Sequence, residues 1–387
     1  MQTNIPFNKP TCAGNEKDYV LRAMKSEHLS GDGEFTKRCR QYLENYFDGK
    51  AVLLTTSCTH ALEMSAILLD IQPGDEVIIP SFTFVSTVNA FVLRGAKPVF
   101  ADIRYDTKNI DEGTLSTLIT SKTKAIVPVH YAGVACAMES ICTTANSHGI
   151  AVVEDNAHGF LGAYQGRKLG TFGKFSTLSF HETKNVQCGE GGALVINAQE
   201  YVERSEIIRE KGTNRSKFFR GQVDKYGWVD IGSSYLPSEL VAAYLFGQLE
   251  AASSIQAARQ KIWSTYYDQL VYWATENSVE LPVVPPGCEQ PYHMFYLMLP
   301  NLVARTTLIN HLQDRGIMGV FHYLPLHASL MGAKFGYKKG DLPVTEEVSD
   351  RLLRLPMFPS LSSPEQERII ESILEFKVKR RPSQVVT

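Results

Sequence analysis

The chain has 387 residues, of which 44% are hydrophobic and 21% charged, with a formal net charge of -2. That length exceeds one simple core, so two domains are expected, and the balanced charge argues against nucleic-acid binding. The N-terminal MQTNIPFNKP lacks a charged-then-apolar signal, and no apolar run reaches the roughly 18 residues needed to cross a bilayer, which predicts a cytoplasmic protein without membrane contact. The seven cysteines form no C-x-x-C pair and are interpreted as reduced thiols, with no metal site.

Short apolar, β-branched runs alternate with longer helical segments through the first part of the chain. The runs are AVLL (51–54), EVIIP (76–80), KPVFAD (97–102), KAIVPVH (124–130), GIAVVED (149–155), FSTLSF (175–180) and GALVIN (192–197). Helical character is clearest in HALEMSAILLD (60–70) and MESICTTANSHG (138–149). Alternation of this kind predicts an α/β fold with a mostly parallel sheet and helices on both faces.

The alternation ends near residue 235, and a different pattern follows. Leu236 to about Leu270 is predicted as one long helix, with Pro237 in its first turn. The later predicted elements are strands at 292–299 and 319–325 and helices at 306–315 and 364–377, and a basic cluster at 377–381 is interpreted as a solvated tail. We therefore predict a large domain over 1–250 and a smaller α+β domain over 251–387.

Three groups of polar residues follow predicted strands, and ligands of such sheets bind at the strand ends. TTSCTHALE (55–63) begins a helix, where free backbone amides and the hydroxyls of Ser57 and Thr59 favour a phosphate, although either residue could simply cap the helix. Asp155 ends an apolar strand, and a buried carboxylate there needs a ligand, a helix start or an ion-pair partner. Lys184 is either a surface lysine or, if it is desolvated, a nucleophilic amine.

Taken together, these groups match the requirements of pyridoxal phosphate. This cofactor needs an anchor for its phosphate, a carboxylate that keeps its ring nitrogen protonated, and an amine for a Schiff base. Phe82 and Phe84 are placed to stack on its ring.

Several segments resemble the DegT/DnrJ/EryC1/StrS family of sugar-nucleotide aminotransferases over nearly the whole chain. They are TTSCTHALEM, PGDEVIIPSFTFVSTVNAFVLRGAKPVFAD, VPVHYAG, VVEDNAHG and SFHETKN with GEGGALVIN. The resemblance implies fold type I of the pyridoxal-phosphate-dependent transferases, the architecture of aspartate aminotransferase, in a homodimer with shared active sites. A longer segment, 209–236, resembles the members that form dTDP-4-amino-4,6-dideoxygalactose for the enterobacterial common antigen.

The resemblance also implies roles for individual residues. Lys184 matches the Schiff-base lysine, which also carries protons, and Asp155 matches the partner of the pyridine nitrogen. Cys58 and Thr59 match the pair whose backbone binds the phosphate, Ser179 matches a serine that bonds to the same group, and Phe84 matches the stacking aromatic. Tyr323 and His327 match positions on the substrate side of the pocket.

Three positions depart from the family pattern. His158 stands where glutamine is frequent, and its imidazole could still donate to the ring oxygen of the cofactor. Ser234 stands where an asparagine reaches the phosphate from a partner subunit, and a serine is shorter. Cys58 replaces a glycine, which is tolerable only where the backbone does not need a positive φ.

The implied reaction is amino transfer from L-glutamate to the 4-keto carbon of a dTDP-4-keto-6-deoxyhexose. Amination at C3 of the same kind of sugar is the alternative, and a cofactor-binding regulator without transaminase activity is a further one that no added helix-turn-helix segment supports. Family members that dehydrate C3 carry histidine in place of the lysine, so Lys184 favours amino transfer. GDGEF (31–35) and RGQVDKYGWVD (220–230) are the segments expected to cross between subunits.

Overall fold

The computed structural model describes residues 4–378. Its strands are β1 (Ala51–Thr55), β2 (Glu76–Pro80), β3 (Lys97–Ala101), β4 (Thr123–Ile126), β5 (Ala151–Asp155), β6 (Ala163–Tyr164), β7 (Arg167–Lys168), β8 (Phe175–Ser179), β9 (Gly192–Ile196), β10 (Cys288–Glu289), β11 (Tyr296–Met298), β12 (Val320–Phe321) and β13 (Leu352–Arg354). Each apolar run of the first part of the chain therefore contains a strand, as predicted.

The central sheet has seven strands in the order β1-β9-β8-β5-β4-β2-β3. β3, β2, β4, β5 and β8 pair in parallel, whereas β9 runs antiparallel to β8 and to β1. The side chains of β5, β8 and β9 are buried along their whole length, as expected for the central strands of a sheet that helices cover on both faces. The prediction of an α/β fold with a mostly parallel sheet is confirmed.

Helices cover both faces of this sheet and continue into the second part of the chain. They are α1 (Glu16–Lys25), α2 (Glu34–Tyr46), α3 (Cys58–Leu68), α4 (Val85–Val92), α5 (Leu115–Leu118), α6 (Met138–Ser147), α7 (Val202–Arg209), α8 (Arg215–Phe219), α9 (Glu239–Glu250), α10 (Ala252–Glu276), α11 (Leu302–Gln313), α12 (Leu330–Lys334), α13 (Pro343–Arg351) and α14 (Ser363–Leu374). One core joins the sheet to α3 and α4 through residues such as Leu62 and Phe91, and another joins it to α2 and α9 through Leu43 and Phe246.

The prediction of one long helix from Leu236 to about Leu270 is wrong, because the chain forms two helices there. α9 ends at Glu250, its C-cap residue Ala251 has a φ of -87° and a ψ of 3°, and α10 begins at Ala252. The two helices serve different cores, since α9 packs beside the large sheet whereas α10 contributes Tyr266 and Leu270 to the core of the second part. The domain boundary between residues 250 and 251 stays a prediction.

The second part of the chain contains a small sheet in the order β11-β13-β12, packed against α10, α11 and α14. β11 and β12 are shorter than the predicted strands 292–299 and 319–325, so the residues that flank them leave the sheet. Arg259 of α10 is fully buried and donates to the backbone carbonyl oxygens of Tyr292, His293 and Met357. These bonds hold the segment that precedes β11 and the segment that follows β13 against α10.

Across residues 4–378, no helix combines the length and apolar character needed to cross a bilayer. In the structure all seven cysteines are free thiols. The predicted basic tail at 377–381 lies mostly outside the described residues.

Candidate active site

A cavity of about 620 Å³ lies between the loops at the carboxyl ends of the parallel strands and the second part of the chain. On the side of the large sheet its lining includes Cys58, Thr59, Phe84, Asp155, His158, Ser179 and Lys184, and on the other side it includes His293, His322, Tyr323 and Arg354. The structure therefore brings together most of the predicted site residues. Ser234 and His327 are not among the residues that line the cavity.

The start of α3 forms one end of the cavity. Ser57 caps this helix by accepting a hydrogen bond from the backbone N–H of His60 at 3.1 Å. The amides of Cys58 and Thr59 have no acceptor within the helix, because the first turn of any helix lacks partners for them. The hydroxyl of Thr59 donates to Ser86 Oγ at 2.8 Å. Helix capping and anion binding are therefore compatible here, and the free amides with the helix dipole favour a phosphate.

Gly192 of β9 allows α3 to begin this close to the sheet. A Cβ atom on Gly192 would lie 2.4 Å from the backbone nitrogen of Cys58, so a side chain there would displace the start of the helix. Burial raises the pKa of the Cys58 thiol, which therefore stays neutral and does not repel an anion.

Asp155 is the last residue of β5 and its side chain is buried. Thr87 Oγ1 donates to Asp155 Oδ2 at 2.7 Å, and the backbone N–H of Ala157 donates to Oδ1 at 3.2 Å. Among the described residues, no cationic side chain lies within ion-pair distance of this carboxylate. Burial raises its pKa, although these hydrogen bonds oppose the shift. A protonated ring nitrogen would supply the missing positive charge.

Lys184 lies in the turn that follows β8 and reaches the cavity, so the interpretation as a surface lysine is wrong. The turn is held by its neighbour Asn185, whose side chain donates to the carbonyl of Pro291 at 2.6 Å and accepts from His293 Nδ1 at 2.9 Å. Burial lowers the pKa of Lys184 to about 8, against the opposing effects of Cys58 and Asp155. A substantial fraction of the amine is thus neutral near physiological pH, as a nucleophile requires.

His158 and Phe84 lie where a planar ring could be held. The Nδ1 atom of His158 is buried without a hydrogen-bond partner, and burial lowers the pKa of the imidazole well below its usual value, so the ring is neutral. Its ring stacks on that of His293, with 4.4 Å between centroids. Phe84 is 57% exposed on the cavity wall, whereas Phe82 is buried against Tyr131 and does not line the cavity. The unused nitrogen, the uncompensated carboxylate and the free amides fit pyridoxal phosphate.

Tyr323 and His327 were predicted to line the substrate side together, and the structure separates them. Tyr323 faces the cavity, with its ring 6.4 Å from that of Phe84. His327 is buried outside the cavity, where its Nδ1 lies 2.7 Å from Ser81 Oγ and its Nε2 lies 3.0 Å from Glu346 Oε1. The assignment of His327 to the cavity wall is corrected, because both ring nitrogens are occupied in joining the end of β2 to α13.

Ser234 lies on the surface of the chain, in an isolated bridge with Glu210. Its predicted contact with a phosphate bound by a partner subunit stays a prediction. 

Four residues near the reacting groups were not identified from the sequence. Thr87 lies one helical turn after Phe84, and its signal was a hydroxyl early in the helix that follows β2. His293 and His322 occur in YHMF and FHYLP, which were interpreted as strand interiors. Arg354 ends β13 within LLRLP, and no motif marks it.

Comparison with known proteins agrees with this geometry. The model of the DegT/DnrJ/EryC1/StrS aminotransferase family matches residues 10–374. The chain is 32% identical to the GDP-perosamine synthase of Escherichia coli O157:H7 over 378 residues, which cover 96% of this chain and 98% of the relative.

Two solved structures share the fold over nearly the whole chain. The aminotransferase TlmJ of Streptoalloteichus hindustanus has a TM-score of 0.88 at 28% identity, with 96% of this chain and 98% of that chain covered. Spr1654 of Streptococcus pneumoniae, assigned as a sugar aminotransferase and solved in its PLP form, has a TM-score of 0.88 at 25% identity, with 96% and 97% covered. The chain belongs to the DegT/DnrJ/EryC1/StrS aminotransferase family and is a sugar aminotransferase of fold type I that uses pyridoxal phosphate.

Proposed function

We propose that the enzyme transfers the amino group of L-glutamate to the 4-keto carbon of a dTDP-4-keto-6-deoxyhexose and forms a dTDP-4-amino-4,6-dideoxyhexose. The observation that carries amino transfer is the presence of Lys184 and Asp155 in one cavity beside the start of α3. The resemblance of segment 209–236 to family members that make a 4-amino sugar supports the choice of substrate.

Different residues of the cavity bind different parts of the cofactor. Pyridoxal phosphate, when bound, supplies an electron-withdrawing ring that stabilises negative charge on the carbon next to the reacting nitrogen. Asp155, supported by Thr87, keeps a proton on the ring nitrogen and so maintains that withdrawal. The amides of Cys58 and Thr59 anchor the phosphate. His158 uses its free nitrogen to bond to the ring oxygen.

Lys184 performs the proton transfers. With pyridoxal phosphate bound, the neutral amine of Lys184 would be the group that holds the cofactor covalently. When the donor amine has taken its place, the free Lys184 amine would hold and move the proton of the α-carbon of the donor. Because burial lowers the pKa of this amine to about 8, its neutral and protonated forms are both populated near neutral pH, which suits both directions of proton transfer.

The reaction is tested by incubating the enzyme with L-glutamate and dTDP-4-keto-6-deoxyglucose and examining the product by NMR. Nitrogen on C4 supports the proposal, whereas nitrogen on C3, or conversion only of a GDP-linked sugar, contradicts it. Lys184→Ala is expected to abolish turnover and the visible absorbance of the bound cofactor. Lys174→Ala is the matched control, since Lys174 is a half-exposed lysine that contacts Glu200 outside the cavity.

We further propose that the enzyme is a homodimer in which segment 217–231 contacts the partner subunit. This segment exposes three large apolar side chains, namely Phe219 (68%), Trp228 (82%) and Val229 (55%). Ion pairs nevertheless hold the segment to α7. Arg220 pairs with Glu206 and Asp230 pairs with Arg204, each at 2.8 Å. An apolar surface on a segment fixed by charges is typical of a protein interface.

The dimer is tested by sedimentation equilibrium of the wild type and of Trp228→Glu. The variant is expected to dissociate and to lose activity, because the partner completes each active site. Tyr272→Glu is the matched control, since Tyr272 on α10 is also 82% exposed but lies outside the proposed interface. A wild-type monomer with full activity would contradict the proposal.

A further inference from the structure

His158 is a buried histidine of the cavity wall that carries an unpaired nitrogen. The residue is 7% exposed, and its Nδ1 atom is buried without a hydrogen-bond partner among the described residues. Such an atom destabilises the protein until a partner arrives, so its partner is expected to be a bound molecule. Rotation about the Cβ–Cγ bond of a histidine is only weakly restricted, and an inverted ring places a carbon where the nitrogen was. His158 therefore needs a neighbour that fixes the plane of its ring.

His293 is such a neighbour. Its ring lies against that of His158, with 4.4 Å between the centroids and 22° between the planes. The rings of Tyr131 and His322 are farther away, with centroids 5.9 and 6.2 Å from that of His158. Burial lowers the pKa of both stacked imidazoles well below the usual value, so both are neutral and their charges do not repel. Nearly parallel rings at this distance attract each other, and the stack restricts the rotation of His158.

The ring of His293 is itself fixed by hydrogen bonds. Asn185 Nδ2 donates to the carbonyl of Pro291 at 2.6 Å, which leaves Asn185 Oδ1 to accept from His293 Nδ1 at 2.9 Å. This order of donors and acceptors assigns the ring proton of His293 to Nδ1. Arg259 of α10 donates to the backbone carbonyl oxygen of His293. The ring that supports His158 is therefore held from one side by the turn that carries Lys184 and from the other side by α10.

We propose that His293 is a positioning residue that holds the ring of His158 in the plane from which its unpaired nitrogen bonds to the ring oxygen of pyridoxal phosphate. This inference rests on the role of His158 under the proposed function. His293 acts through His158 and does not act on the substrate. Because Asn185 follows Lys184 directly, the stack and the turn of the reacting amine belong to one network, and the second part of the chain helps to shape the cofactor site.

The first test uses the wild type, with its histidines labelled with nitrogen-15 and examined by NMR before and after addition of pyridoxal phosphate. The signals of His158 and His293 are assigned by their loss in His158→Gln and His293→Phe. His293 is expected to carry its proton on Nδ1 in both states, whereas a ring nitrogen of His158 is expected to shift when the cofactor binds. A His293 that carries its proton on Nε2, or a His158 that does not respond to the bound cofactor, would overturn the proposal.

The second test is a double-mutant cycle on the affinity for pyridoxal phosphate, measured by absorbance. His293→Ala is expected to lower the affinity about 3- to 10-fold, because the stack is lost, whereas His293→Phe keeps a flat ring and is expected to retain most of it. In a His158→Gln background, His293→Ala is expected to change the affinity less than about twofold, because glutamine has no ring that a stack must hold. Equal losses in the two backgrounds would overturn the proposal, because His293 would then act independently of His158.

His311→Phe is the matched control. His311 also lies in the second part of the chain, but it bonds to the carbonyl of Ser372 and rests against Phe376 outside the cavity, so the affinity for the cofactor is expected to stay unchanged. If His293→Ala does not fold by circular dichroism, the NMR of the wild type decides. A wild type in which pyridoxal phosphate shifts His158 but no amino group is transferred would refute the proposed reaction and support this inference.

Discussion

β5 carries two adjacent buried carboxylates, Glu154 and Asp155. Replacing Glu154 by its neutral amide is expected to lower the unfolding free energy of the cofactor-free protein, whereas the same replacement of Asp155 is expected to leave it nearly unchanged or to raise it. Glu154 Oε1 accepts from the backbone N–H groups of Phe172 and Gly173 at 2.7 and 2.8 Å. Glu154 Oε2 accepts from Gly170 N–H at 2.8 Å and lies 3.1 Å from a ring nitrogen of His130. Glu154→Gln replaces one of these oxygens by an amide that donates, so two buried donors lose their acceptor. At about 1–3 kcal/mol for each unpaired donor, reduced by partial relaxation, the expected loss of unfolding free energy is about 2–5 kcal/mol.

Asp155→Asn is expected to cost little or to stabilise the cofactor-free protein. Burial raises the pKa of Asp155, so the native state holds its proton more tightly than the unfolded chain. The stabilisation from that proton is complete below the unfolded pKa and is lost as the pH rises through the native pKa, so at neutral pH the charged form is a penalty. Asparagine removes the penalty and can still accept from Thr87. The affinity for pyridoxal phosphate should nevertheless fall about 10- to 100-fold, because the charge-assisted bond to the ring nitrogen is lost.

The assay is urea unfolding of both cofactor-free variants at neutral pH, followed by circular dichroism, together with titration of pyridoxal phosphate by absorbance. The reasoning is refuted if Asp155→Asn lowers the unfolding free energy as much as Glu154→Gln does, because Asp155 would then be a structural carboxylate. It is also refuted if Asp155→Asn leaves the cofactor affinity unchanged.

Further predictions concern Lys184, His327 and two cysteines. Since burial lowers the pKa of Lys184 to about 8, the rate at which the cofactor-free protein captures pyridoxal phosphate should rise about tenfold per pH unit below that value and level off above it, and stopped-flow absorbance showing a flat profile would contradict this. His327→Ala should lower the unfolding free energy by about 2–3 kcal/mol, through loss of the bonds to Ser81 and Glu346, and leave both KM values unchanged; a raised KM in a variant of normal stability would restore its assignment to the substrate side. Iodoacetamide should modify the exposed Cys12 before Cys58, because burial disfavours the thiolate of Cys58. Peptide mass spectrometry that finds Cys58 modified first would contradict the burial of this residue at the start of α3.

The sequence predicted the large sheet well because most of its strands are short, mainly apolar runs, which are typical of buried parallel strands. Asp155 and Lys184 were identified because Asp155 ends one of these strands and Lys184 lies in the turn after another. The second part of the chain was less predictable, since β11 and β12 are only a few residues long and the segments beside them look like strands but turn into the cavity. His327 was misplaced because it occurs in the same short segment as Tyr323, and only the fold shows that its ring points to α13. No local sequence pattern marks Arg354, because its lack of an ion-pair partner among the described residues is visible only once the cavity wall has folded.

The cavity is built from two separately packed parts of the chain that meet around α9 and α10. The chemistry of the amine is supplied by one part, with Lys184 and Asp155, whereas Tyr323 and Arg354 come from the other. Exchange of the segments around β12 and β13 with those of a relative should therefore alter which substrates the enzyme accepts. Lys184 and Asp155 would stay unchanged, because both come from the large-sheet part of the chain. Arg259 has to be kept in such a chimaera. Its hydrogen bonds go to backbone carbonyl oxygens, so they can hold this wall of the cavity in place whatever side chains the exchanged segments carry.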